Sequence, residues 1–507
     1  MTQKSPINIG SRRELFVDSF LIEELKGGAE RRLHHPTPRE IVIEQDRPWE
    51  TGNTLRYITV LQGEGIYRMY YMGAMAKDLP SERDDAYGLG DLLICYAESG
   101  DGIEWEKPDL GIHEFQGSTD NNIVWKGQAS HGFTPFIDKR PGCPPDERYK
   151  AIGKSKTDVA PKPGGTKYLF VLKSPDGIHW TKMEGPKKHG AIFDQTEGDF
   201  DSQNVAFWDE TAGCYRVYFR RRRNVTTRPD LADREDGEGY HDVKPRVRDV
   251  KTATSKDLLH WSEPEFLDYP GSPDEELYTN QIKPYPRAPH ILLGFPTRYV
   301  EGRGALTEWH AKEAEEKPGR FLTSYTDGLV MSSRDRTTFR RWGEAFLRPR
   351  MPEERLWSYG ACYQNYGLVE TASDVQGAPP EFSLYAAEAT RHDPVMRRHT
   401  IRLDGFVSVN APLAGGEMLT SPLIFEGKDL SLNMSTSAAG TIRVEIQDAD
   451  GQPVPDFTLE DCRPLFGNGL EKDVAWEGDS DLASLASRPV RLRFRLEDAD
   501  LFALQFK

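Results

Sequence analysis

Two carboxylates in this chain of 507 residues stand where strand-like runs begin. Asp201 precedes Ser-Gln-Asn-Val-Ala-Phe-Trp208, and Glu276 lies in Asp274-Glu-Glu-Leu-Tyr-Thr-Asn280. A third acid, Glu50, follows Trp49 in the stretch that ends at Arg56. Two carboxyls flanking one reacting bond can divide the work: one donates a proton, and the other serves as base or nucleophile. Groups suited to holding a ligand accompany them. Asn53 and Arg56 follow Glu50, Gln203 and Asn204 follow Asp201, and Tyr278 follows Glu276. His131, Arg298 and Trp357 fall near other strand starts, and Arg220 opens the run Arg220–Arg223. Arginines in such positions could reach an anionic group, and Trp49 and Trp357 could stack on a flat ligand face. Each residue also has a plainer reading: the acids as turn or strand-end caps, His131 as a turn cap, the tryptophans as core, and the arginine run as a solvated face. Asp138, beside Lys139 and Arg140, reads as a surface turn acid.

The elements that must gather these residues follow from four tryptophan boxes: Ser99–Trp105, Ser174–Trp180, Ser255–Trp261 and Ser333–Trp342. The steps between tryptophans are 180−105 = 75, 261−180 = 81 and 342−261 = 81. A period of this size with a turn-plus-aromatic signature fits one four-stranded propeller blade per unit. Strand pairs recur upstream of the boxes, as in Tyr57–Gln62 with Tyr67–Met72 and Gln203–Trp208 with Cys214–Phe219. Inner strands starting near 57, 134, 203, 281 and 361 give five units. The fifth, Gly360–Asn365 then Phe382–Glu388, has no box, so another part of the chain must complete it. The apolar segment Glu14–Ile22, or its neighbourhood, is expected to do so and to remove an exposed sheet edge. From about Arg402 the rhythm stops, and runs such as Thr441–Gln447 and Val490–Leu496 alternate at period two, as in a β-sandwich. The expected fold is all-β: a five-bladed β-propeller over residues 1–405, followed by a C-terminal β-sandwich over 406–507. Starts of inner strands meet at one mouth of a propeller channel, which is where the acids above would converge.

Composition narrows the partners. A net charge of −16 repels phosphate backbones and argues against nucleic acid. The five cysteines are scattered and lack metal-ligand or disulfide spacing. No apolar run suggests a leader or a membrane span. A cytoplasmic protein is expected, or a secreted one had a leader been removed. Pro229–Pro245, Asp78–Asp91 and Glu301–Gly319 read as loops.

The Ser-x-Asp-Gly/Leu-x-x-Trp boxes, the five units and the sandwich tail together resemble the five-bladed propeller glycoside hydrolases of families 32, 43 and 68. Family 32 also carries a C-terminal sandwich. The resemblance spans nearly the whole chain in architecture but only short scaffold boxes in sequence. The family's catalytic motifs depart: neither Asn-Asp-Pro-Asn-Gly nor Arg-Asp-Pro occurs here. The resemblance implies a glycoside hydrolase using a carboxylate pair, and position at the mouth nominates Asp201 and Glu276, with Glu50 third. Trp49, Asn53, Arg56, His131, Gln203, Asn204, Arg220, Tyr278, Arg298 and Trp357 would contact the carbohydrate. No cofactor and no metal is implied. Phosphorolysis, with arginine-held phosphate in place of water, and a carbohydrate-binding propeller without catalysis are the alternatives. A sialidase-type reading is weaker, because it calls for six blades and a tyrosine nucleophile.

Overall fold

The structure, a computed structural model, describes residues 5–50, 55–74, 92–157, 166–225, 246–316, 323–389, 394–478 and 481–507. Five antiparallel blades form the propeller. Blade one runs Thr59–Gly63, Ile66–Ala74, Leu92–Ser99, Ile123–Lys126. Blade two runs His131–Ile137, Tyr149–Thr157, Thr166–Ser174, with Thr181–Lys182 and Phe193–Asp194 outermost. Blade three runs Val205–Asp209, Cys214–Asn224, Arg246–Ser255, Glu265–Phe266. Blade four is divided. Lys283–Tyr285, Ala288–Gly294, Met331–Ser333 and Arg340–Arg341 form its lower part. Glu276–Leu277, Thr297–Val300 and Tyr325–Gly328 form a separate upper sheet. Pro296 sits at the division, where a residue without an N–H interrupts the ladder.

Blade five holds Val369–Thr371, Glu381–Glu388 and Val395–Arg402, and its outer strand is Thr37–Glu44 from the beginning of the chain. Closure by the N-terminal region therefore occurs, but not by Glu14–Ile22. Glu14 and Leu15 instead pair with Leu504 and Ala503 of the tail. That segment is apolar because it fills two cores at once. Leu15 and Val17 join a cluster with Tyr285, Phe382 and Phe406 of the blades and their exit, while Phe16 and Leu21 join the sandwich core.

The sandwich is a single hydrogen-bonded network of ten strands. Leu430–Asp448 and Val490–Phe506 pair along their length, with the register shifting between Thr436 and Thr441. Ile7–Gly10, Ile22–Gly27 and Glu30–Leu33 pair with tail strands, so strands within residues 7–33 build this sheet rather than a blade. Asp404, fully buried where the blades meet the sandwich, accepts from Arg13 at 3.0 Å, Arg287 at 3.0 Å and the Tyr285 hydroxyl.

The boxes are turns that cap blade corners. Asp101 Oδ1 accepts from the amides of Ile103 (2.7 Å) and Glu104 (2.9 Å), and Ser99 Oγ accepts from the Gly102 amide at 2.8 Å. Trp180 Nε1 donates to Gly177 O at 2.9 Å, and its ring stands edge-on to Phe133. The fourth box keeps the Ser333–Asp335 turn, but Phe339 rather than Trp342 fills the aromatic place, at 339−333 = 6 as in 105−99 = 6. Phe339 is fully buried beside Tyr218. The boxes lie at the foot of the blades: Ser174 pairs with Tyr149, which also pairs with Ile137, the last residue of its inner strand.

Candidate functional site at the channel mouth

Each blade has a left-handed residue at or near the start of its inner strand. These are Tyr57 (φ 56), Gly132 (φ 61), Phe200 (φ 51), Gln281 (φ 46) and Cys362 (φ 59). Such kinks cost free energy and persist where surrounding packing enforces them. At Gly132 a Cβ would stand 2.6 Å from the Ser202 carbonyl, so only glycine lets blade two approach blade three this closely. Below the kinks, amides plug the channel. Gln281 Nε2 donates to Gln203 Oε1 at 2.6 Å and to Gln364 O at 2.8 Å, and Gln203 Nε2 donates to Thr59 Oγ1 at 2.9 Å.

Asp201 sits just above this plug. Its Oδ1 binds Lys154 Nζ at 2.9 Å, its Oδ2 binds Arg220 Nη2 at 2.6 Å, and His131 Nε2 lies 4.0 Å away. Burial pushes the Asp201 carboxyl upward, but Lys154 and Arg220 override it and hold the group well below the usual carboxylate range. Lys154 and Arg220 side chains are each 3% exposed and Asp201 is 13% exposed, so the clamp is nearly dry.

Glu276 is held the same way by the Arg248 guanidinium and also accepts from the Arg248 amide. Both arginines lie over one ring: Arg220 Cζ is 5.0 Å and Arg248 Cζ 5.5 Å from the Tyr278 centroid. That shared ring brings the two carboxylates into one cluster. Tyr278 stacks on Tyr363 at 5.3 Å and accepts from the Tyr359 hydroxyl, and Tyr363 stacks in turn on Tyr57. Tyr299 carries Arg248 at 4.6 Å. Burial pushes the Tyr57 and Tyr363 phenols well up, so they remain proton donors. All five blades contribute: Tyr57 from the first, His131 and Lys154 from the second, Asp201, Arg220 and Arg248 from the third, Glu276 and Tyr278 from the fourth, and Tyr359 and Tyr363 from the fifth.

The structure brings Asp201, Glu276, His131, Arg220 and Tyr278 together, with Arg56 against Tyr57 at 5.4 Å. Glu50 goes elsewhere. It is buried inside blade one, where Lys107 Nζ (2.7 Å), the Tyr71 hydroxyl and the Asp46 amide occupy it. Trp49 donates to Asn122 at 2.8 Å and packs edge-on to Phe115, a core position rather than a platform. Gln203 belongs to the amide plug. Asn204 stitches its own turn, donating to the Phe200 and Ser202 carbonyls and accepting from the Arg220 amide. Arg298 is consumed by a two-pronged pair with Asp327 and by Glu275 at 3.0 Å. It and Trp357 line a cleft of about 550 Å³ alongside Arg303 and Arg348. Asn53 lies outside the described residues. Asp138 is buried rather than on the surface, because Tyr215 from blade three covers it and Lys150 pairs with it at 3.2 Å.

Lys154, Arg248, Tyr57, Tyr299 and Tyr363 were not anticipated. A signal existed for the first of them. Lys150 and Lys154 stand four apart on a strand, hence on one face, and both are buried.

No protein-family model matches this sequence, and no curated protein does. Among solved structures, a complex of BT0996 with RGII aligns at 11% identity over 73% of this protein and 92% of that one, with a TM-score of 0.41. An endo-arabinase from Bacteroides thetaiotaomicron aligns at 10% over 72% and 98%, TM-score 0.38. A Bombyx mori GH32 beta-fructofuranosidase aligns at 12% over 94% of both proteins, TM-score 0.38. Likeness this distant assigns no residue a role. The sheet topology itself defines a five-bladed propeller joined to a β-sandwich, and the mouth defines its class of site: paired carboxylates under arginines, walled by tyrosines.

Proposed function

We propose that this protein is a glycoside hydrolase that cleaves an oligo- or polysaccharide at the channel mouth, with Asp201 and Glu276 as its carboxylate pair. The reading rests on one observation, the convergence of both carboxylates on the Tyr278 ring from neighbouring blades. Asp201, kept ionised by Lys154 and Arg220, is suited to act as base or nucleophile. Glu276 is the proton donor, and it can take up that proton once substrate loosens the Arg248 contact. Tyr278 and its neighbours offer aromatic faces and hydroxyls to a sugar.

One observation favours phosphorolysis as a second reading: Lys154, Arg220 and Arg248 surround the carboxylates, and cations in that position would hold phosphate. A single experiment separates the two. The protein is incubated with an oligosaccharide panel, with and without inorganic phosphate, and products are resolved as free reducing sugars or sugar phosphates. Hydrolysis predicts reducing ends without phosphate, reduced on the order of 10²–10⁴-fold in Asp201→Asn and in Glu276→Gln. Undiminished cleavage in both variants, or products only with phosphate, would overturn the hydrolase assignment.

A further inference from the structure

The guanidiniums at the mouth have more donors than their carboxylates use. Arg220 spends Nη2 on Asp201, while its Nε and Nη1 are buried with no hydrogen-bond partner among the described residues. Arg248 gives Nη1 to Glu276, and its Nε is buried and unpartnered in the same sense. The two residues are 3% and 4% exposed. A buried donor left unmade is costly, and more so on a charged group. Lys154 and Arg220 bind Asp201 and Arg248 binds Glu276, so each carboxylate is already held by a cation while these arginine donors remain unspent. The next acid, Asp199, is turned away to the Arg222 amide and to Arg221.

We infer that the mouth contains an oxyanion subsite, formed by Arg220 and Arg248 against the Tyr278 ring, and that the sugar bound there carries a carboxylate or a sulfate. Such a group takes two or more charge-assisted hydrogen bonds from donors that are already desolvated and already fixed over a ring. A neutral hydroxyl in the same place accepts from them without the charge assistance of an anionic acceptor. The inference deepens the hydrolase reading and rests on it for the position of the reacting sugar.

The test reads binding without turnover. Arginine side-chain ¹⁵Nε–¹H spectra of the full chain are recorded while glucuronate, galacturonate, a sulfated galactose, glucose, galactose or inorganic phosphate is added. The Arg220 and Arg248 signals are assigned by their loss in Arg220→Lys and Arg248→Lys. The uronates or the sulfated sugar should shift both signals and bind about 10- to 100-fold tighter than the neutral sugars. Which of the two responds tells carboxylate from sulfate. No response to any anion, an equal response to neutral sugars, or a response to inorganic phosphate alone overturns the subsite. Where a variant fails to fold, the affinity ratio of anionic to neutral sugars in the wild-type titrations decides instead. Anion binding with no cleavage of any oligosaccharide removes the hydrolase reading alone. Cleavage of neutral glycans without an anion response removes the subsite alone.

Discussion

Replacing Asp201 by alanine should cost stability as well as activity. The substitution takes from Lys154 and Arg220, each 3% exposed, the carboxylate that binds them at 2.9 and 2.6 Å. Removing one partner of a buried pair costs about 3–5 kcal/mol. Asp201 itself is 13% exposed, so water can partly replace it, and the lower end, about 3 kcal/mol, applies. At about 2 °C per kcal/mol for a large chain, the melting temperature falls by about 6 °C. Asn retains the size and an acceptor oxygen, and should cost about 1–2 kcal/mol. The pH dependence has a definite sign. The folded-state pKa lies below the usual carboxylate value, so the stabilisation is complete above the unfolded pKa near 3.8 and disappears as pH falls through the folded value. Scanning calorimetry of wild type and Asp201→Ala from pH 3 to 8 should therefore give a gap that is constant above about pH 5 and narrows in acid. Equal melting temperatures at pH 7, or a gap that widens toward acid, would refute a clamped, ionised Asp201.

Four further substitutions, one of them a control, probe the frame. Asp404→Ala leaves Arg287 without its carboxylate and Arg13 with only the half-exposed Glu471 at the seam between blades and sandwich, and should destabilise by about 3 kcal/mol in denaturant titrations; a change under about 1 kcal/mol would refute the seam's role. His399, 2% exposed, has its pKa lowered to about 4 by burial, which outweighs the pull of Glu388. The folded state then excludes a proton that the unfolded chain binds below about 6.5, so stability is lost as pH falls from about 6.5 to 4, and His399→Gln should flatten that slope; an unchanged slope would contradict it. Gly132→Ala forces a Cβ to 2.6 Å from the Ser202 carbonyl at a φ of 61°, and should lower both the melting temperature and cleavage, whereas Gly142→Ala, at a φ of 75° with open space around it, should cost stability alone.

The architecture was legible because each corner turn has a chemical signature: a serine and an aspartate binding backbone amides, and an aromatic residue six places on. Where the signature loosened, the reading drifted. Phe339 does the work expected of Trp342, since any large ring fills that pocket. The closing strand was harder. Thr37–Glu44 lies at the outer edge of blade five, half exposed and without clear alternation, whereas Glu14–Ile22 is conspicuously apolar because it is wedged between the propeller and the sandwich. At the site, Asp201 and Glu276 were found because inner strands converge, which topology alone dictates. Glu50 failed by the same logic: it stands before an inner strand, yet Tyr71 and Lys107 draw it into its own blade. The tyrosine wall and Arg248 come from second and third strands and from the kinked entries of distant blades. Their meeting depends on three-dimensional register, which spacing along the chain does not encode.

The central claim is that Asp201 and Glu276 together face the bond that is cut. Its most direct test is a crystal structure of the Asp201→Asn variant with an oligosaccharide that the wild-type protein cleaves. The account predicts the scissile glycosidic oxygen within hydrogen-bond reach of Glu276, the anomeric carbon facing residue 201, and a sugar ring against Tyr278. An oligosaccharide seated instead in the Arg303–Arg348–Trp357 cleft, with the mouth empty, would contradict it.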